Sequence, residues 1–123
     1  MNSAFAFLLM IFLHIVDDYY MQGVLSNMKQ RQWWEQNAPQ KMYRYDYIWA
    51  LLMHSFSWSF MIMLPAAILA KFAVTDVWVL LFVANMAAHA IVDQMKANDG
   101  LINLWKDQLI HLAQIFITAG ALL

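Results

Sequence analysis

The sequence predicts an all-α, polytopic integral membrane protein: one domain, residues 1–123, folded as a four-transmembrane-helix bundle with a long first cytoplasmic loop. Three observations predict it. The chain is 63% hydrophobic and only 12% charged, with positive mean hydropathy, a balance outside that of soluble domains. Four apolar stretches, each near the roughly 20 residues that cross a bilayer, are separated by polar connections. Six Trp, five Tyr and ten Met suit aromatic membrane interfaces and adaptable apolar packing. A formal net charge of −1 points away from nucleic acid. The absence of cysteine excludes disulfides, thiolate metal sites and a Cys nucleophile.

The first span is expected over about 3–22. Ala4 to Leu13 is apolar, and no Lys or Arg precedes it. The run leads into His14, Asp17 and Asp18 instead of a small-residue cleavage site, so it reads as a span and not a leader. At about 100° per residue, those three side chains share one helix face, which Gln22 extends by a turn. The polar stretch that follows carries Lys29, Arg31, Lys41 and Arg44. Within it, Val24 to Gln36 is predicted as one interfacial helix, with Leu25, Met28 and Gln32 on a face near Trp33 and Trp34. Pro39 ends that helix, and Tyr43, Tyr45 and Tyr47 form an aromatic belt at the next membrane entry.

The second span, about 47–70, has His54 near its start and Pro65 near its far end. The third, about 77–95, is apolar as far as Asn85 and then delivers His89, Asp93 and Lys96. Its Ala84 and Ala88 have the four-residue spacing that lets helices approach closely. The fourth, about 101–123, carries Lys106, Asp107, Gln108 and His111 early and is apolar afterwards. In spans one and three the histidine falls roughly seven residues before the exit; in two and four it falls roughly seven after the entry. At about 1.5 Å per residue, all four histidines then lie roughly 10 Å below the same membrane face. His14 and Asp18, His89 and Asp93, and Asp107 and His111 are each four apart, so each pair points one way from its helix. One convergent site is the simplest reading.

At these residues the chain resembles the small bacterial and phage membrane proteins grouped as domain-of-unknown-function family 3307. His14, Asp18 and Gln22 match a His-x-x-x-Asp-x-x-x-Gln motif, and His54 an isolated histidine opening a helix. His89, Asp93 and Lys96 match His-x-x-x-Asp-x-x-Lys, and Asp107, Gln108 and His111 match Asp-Gln-x-x-His. Asp17 and the Tyr19–Tyr20 pair depart from the usual Asp-Phe, so either Asp17 or Asp18 can take the family's aspartate. The resemblance implies a four-helix membrane fold and no set activity. A looser similarity to membrane-bound metal-dependent hydrolases built on His and Asp is an analogy of fold.

Imidazole and carboxylate together suit a divalent metal ion, zinc first, with iron or manganese favoured as carboxylates increase. The expected ligands are His14, Asp18, His89 and Asp93, then His111, Asp107 and His54. Gln22, Lys96 and Gln108 are expected to support them by hydrogen bonds. Asp17 or Asp107 is the expected general base of a metal-dependent hydrolase acting on a membrane-associated substrate. Two rival functions stand beside it. One is a non-enzymatic membrane protein in which a structural metal or polar network locks the bundle. It would bind another membrane protein. The other is a proton or metal-ion carrier using the histidines as a relay. Membrane lipid, a membrane-protein partner or a second copy are the expected partners. Trp33, Trp34, Trp49 and Trp78 read as interface anchors, and Ser55, Ser57 and Ser59 as packing residues. Lys29, Arg31, Lys41, Arg44, Lys96 and Lys106, six of seven Lys and Arg, flank the face the site opens to. Positive loops stay cytoplasmic, so both termini are expected outside the cytoplasm of a bacterial inner membrane.

Overall fold

A computed structural model describes residues 1–123. Helix α1, Ser3–Ile15, runs without a break into a π-helical turn, Val16–Met21. Two short helices follow, α2 (Leu25–Met28) and α3 (Arg31–Asn37), then a 3-10 turn at Lys41–Tyr43. Three long helices complete the chain: α4 (Asp46–Leu69), α5 (Asp76–Ala97) and α6 (Leu104–Leu122). There is no strand. Asn2, Thr75 and Asn103 start α1, α5 and α6: each side-chain oxygen accepts the backbone N–H three residues on, at 2.8, 3.2 and 3.0 Å. Each cap satisfies a donor that the first helical turn would leave bare. Gly100, at φ +63°, supplies the left-handed residue in the turn between α5 and α6.

The long helices close into a four-helix bundle, with α1 on α4, α4 on α5, α5 on α6 and α6 back on α1. They alternate in direction. The Ser3 hydroxyl meets the Leu123 carbonyl at one end (3.3 Å), and the His14 ring meets Gln108 near the other (3.0 Å). Met10, Trp58, Ile62, Met63, Ile115 and Ala119 fill an apolar core. Apolar side chains also cover the outside, among them Phe5, Leu8, Phe12, Leu80, Val83, Phe116 and Ile117.

Three helical stretches are long and apolar enough to cross a membrane: Ser3–Met21, Lys41–Leu69 and Asp76–Ala97. This corrects the expected count of four. The fourth segment is a helix of 19 residues, but Lys106, Asp107, Gln108, His111 and Gln114 lower its hydropathy. The single helix expected over 24–36 is a second correction, because it breaks at Lys29–Gln30. Asn98 on the α5 C-cap holds that break open: its amide donates to the Lys29 carbonyl (3.0 Å) and its oxygen accepts from the Arg31 N–H (2.7 Å). Those backbone groups are satisfied without helical partners.

Candidate metal centre

The polar ends of the long helices meet at one level of the bundle. Ring centroids lie 5.0 Å apart for His54 and His89, 4.1 Å for His89 and His111, and 5.9 Å for His14 and His111. Asp17, Asp18, Asp93 and Asp107 are buried among them. Six of these residues fall into three overlapping groups: Asp18–His54–His89, His89–Asp93–His111 and Asp18–Asp107–His111. Within each group the ligand atoms lie inside 4.8 Å of one another.

Hydrogen bonds assign the ring nitrogens their roles. The Gln114 amide donates to the Asn85 carbonyl and side-chain oxygens (3.2 and 3.1 Å), so its own oxygen accepts from His111 Nδ1 (3.2 Å). A neutral His111 then presents Nε2 as a bare lone pair. That nitrogen lies 3.3 Å from Asp107 Oδ1 and 3.6 Å from Asp93 Oδ1. None of the three atoms has a hydrogen-bond partner, and all three residues are fully shielded. On the neighbouring side, His54 Nε2 lies 3.2 Å from Asp18 Oδ1, 3.1 Å from His89 Nε2 and 3.5 Å from Asp93 Oδ2. Its other nitrogen faces Asp17 Oδ2 at 3.7 Å.

His14, expected among the foremost ligands, is placed differently. The Trp58 indole N–H donates to its Nδ1 at 2.8 Å. An indole only donates, so His14 carries its proton on Nε2 and gives it to Gln108 Oε1 (3.0 Å). The Gln108 amide in turn donates to Asp18 Oδ2 and Asp107 Oδ2, both at 2.9 Å. His14 therefore lies outside all three groups, with both nitrogens engaged, and it holds the glutamine that aims two carboxylates.

The remaining expected residues sort by contact. Gln22 donates to the Asp18 carbonyl (2.9 Å) and does not touch its carboxylate. Lys96 pairs with Asp107 Oδ2 at 2.9 Å. Asp107, one of the two expected bases, sits inside a ligand group. Asp17, the other, lies behind His54 and accepts from the Ser57 hydroxyl (2.5 Å), so that serine does more than pack. A carboxylate behind a histidine is the usual way a ligating imidazole is steadied.

Several contributors lack any mention among the expected residues. Lys29 reaches in from the broken loop helix, is 5% exposed, and pairs with Asp93 Oδ2 at 2.7 Å. Trp58 stacks on His89 at 4.2 Å. Gln114 and Asn85 set the His111 tautomer, and Asn85 also donates to Thr118 (2.8 Å). Trp58 follows His54 by four, Asn85 precedes His89 by four, and Gln114 follows His111 by three, so same-face spacing marks all three. Lys29 has no such signal, being on a loop.

Four buried carboxylates against the two ammonium groups of Lys29 and Lys96 leave two negative charges uncompensated when the histidines are neutral. A divalent cation balances that excess, and the His/Asp donors suit zinc, iron or manganese. Compared with protein-family models, with curated proteins and with solved structures, the chain matches none. The motif resemblance thus rests on its own residues.

Proposed function

We propose that the chain is an integral membrane protein that holds a divalent cation in the His/Asp centre and hydrolyses a membrane-associated substrate there. One observation carries the reading: His111 Nε2, buried and without a hydrogen-bond partner, faces two carboxylate oxygens that also lack one. A proton on His111 is the rival occupant. At 3.3 and 3.6 Å, both separations exceed the roughly 2.7–2.9 Å of charge-assisted hydrogen bonds. Insertion is supported by the three apolar helices and the apolar outer faces. The fourth helix packs against them with its Asp107 and His111 turned fully inward, away from lipid.

A bound divalent ion would supply a Lewis acid and a water with pKa near 7. The chain's own residues hold and orient: Asp17 steadies His54, and Gln108 aims Asp18 and Asp107. A groove of about 750 Å³ between α1 and α6 is lined by Ile11, Ile15, Tyr19, Leu104 and Trp105, with His14 and Gln108 in its wall. It runs from the bundle flank to the residues beside the centre, which favours a substrate with a lipid chain.

The second reading is a structural ion that locks the bundle of a protein acting through a membrane-protein partner. The near-complete shielding of all six donors, at most 8% exposed, favours it. Elemental analysis of detergent-purified protein, with melting before and after chelation, tests the centre itself. A co-purifying ion and a chelator-sensitive melt support it; no ion and an unchanged melt leave a polar network. Water-proton relaxation of the Mn²⁺-loaded protein then separates the two uses. An exchangeable water on the ion favours hydrolysis, and its absence favours the lock.

The centre lies at the end carrying six of the seven Lys and Arg, so we place that end in the cytoplasm and both termini outside it. Cysteines introduced singly at Ser3 and Gln36, both exposed, report this through an impermeant thiol reagent on intact cells. Labelling at Ser3 alone is expected, and labelling at Gln36 alone inverts the topology.

A further inference from the structure

We infer that the centre is built for two cations side by side, and that the Lys29 ammonium stands in for the second. The inference rests on the metal reading above and extends it. The donors form overlapping groups. His54, His89 and Asp18 make one and His111, Asp107 and Asp18 another, while His89, Asp93 and His111 make a third that joins them. Asp93 lies between them with an oxygen toward each. Its Oδ2 faces His54 Nε2 (3.5 Å) and His89 Nε2 (3.7 Å), and its Oδ1 faces His111 Nε2 (3.6 Å). A carboxylate whose two oxygens point at separate histidine sets is the arrangement that bridges paired ions, and Asp18 belongs to both groups as well.

The separations within the first group suit a cage. Zinc–nitrogen bonds of about 2.0–2.1 Å place tetrahedral ligands roughly 3.3–3.4 Å apart. From His54 Nε2, His89 Nε2 lies at 3.1 Å, Asp18 Oδ1 at 3.2 Å and the neighbouring Asp93 Oδ2 at 3.5 Å. In the second group Asp107 Oδ1 and His111 Nε2 are buried without partners, as is Asp93 Oδ1 facing them, whereas in the first group the unpartnered atom is His89 Nδ1, on the far side of the ring from His54. The two halves differ in one respect: Lys29 Nζ sits 2.7 Å from Asp93 Oδ2, on the His54/His89 side. That oxygen already has a positive partner, so an ion entering there must displace the ammonium. Lys29 lies at the break between two short helices and not within a long one, so its side chain is the part of the centre that an entering ion would push aside. Filling is therefore ordered, with the His111/Asp107 half first and tight, the His54/His89 half second and weaker.

Mn²⁺ titration of the metal-stripped protein in detergent, read by equilibrium dialysis and electron paramagnetic resonance, tests this. Two ions are expected, the second giving an exchange-coupled spectrum through Asp93. Lys29→Met should tighten the second ion at least about tenfold, since a like charge within a few ångströms is removed, and leave the first unchanged. His111→Ala should lose the tight ion only. One ion in both wild type and Lys29→Met overturns the inference and leaves the single-metal reading standing. Two ions without magnetic coupling overturn the bridge through Asp93. No ion in either protein removes the metal reading itself. The wild-type spectrum decides even if a variant fails to fold.

Discussion

Two copies of His-x-x-x-Asp lie in this chain, and the fold uses them differently. His89 and Asp93 sit in regular α-helix, on one face, and both side chains point into the centre, 3.7 Å apart at their nearest. His14 ends α1, while Asp18 lies in the π-helical turn that follows. A π-turn closes its hydrogen bonds one residue later than an α-turn and so rotates what comes after it. Asp18 swings to His54 on α4, Asp17 turns inward behind the same ring, and His14 is left to Trp58 and Gln108. Equal spacing yields equal roles only where the helix keeps its pitch.

Breaking the shared carboxylate should have the largest effect. Asp93→Asn removes the anion that faces His54, His89, His111 and Lys29 at once. It leaves the Lys29 ammonium buried and unpaired, a defect of about 3–5 kcal/mol. We expect all bound metal to be lost and unfolding in detergent to shift accordingly. A variant that keeps its metal would move Asp93 out of the centre.

The two histidines sharpen the comparison next. His89→Ala should release the weaker ion and lower the melting temperature, leaving the tight ion for a chelator to remove. His14→Ala should keep its metal and lose about 1–3 kcal/mol, because it strands the Trp58 donor and loosens Gln108. Dialysis and melting on both proteins check this; equal metal loss would mean that the π-turn makes no functional difference.

Ser57→Ala should disturb the centre least. It deletes the hydroxyl that donates to Asp17 Oδ1, worth about 1.5–3 kcal/mol at most for a charged acceptor. Metal content should stay within error of wild type at equal expression. Loss equal to that of Asp93→Asn would place Asp17 among the ligands, giving the two aspartates of the first motif the same role.

The reading from residues alone reached the helical class, the level of the histidines and the pairs on α5 and α6, because apolar length and four-residue spacing are local properties of a chain. Segment ends were legible within a few residues for the same reason: Asn2, Thr75 and Asn103 cap where the hydropathy changes. The fourth span was over-read, since its polar residues lower its hydropathy although most of them turn inward.

What only the tertiary structure decided follows from contacts between distant residues. The π-turn depends on α4 receiving both Asp17 and Asp18, some 40 and 36 positions away. Lys29 reaches Asp93 because Asn98, 69 positions from it, pins the loop that carries it. Composition and periodicity determined that the chain forms amphipathic and apolar helices bearing metal-type side chains. Both nitrogens of His14 are taken by partners on other helices, Trp58 and Gln108, whereas His111 turns Nε2 inward because its Nδ1 finds Gln114 on its own helix. Hydrogen bonding across the bundle therefore sorted side chains that spacing alone left equivalent.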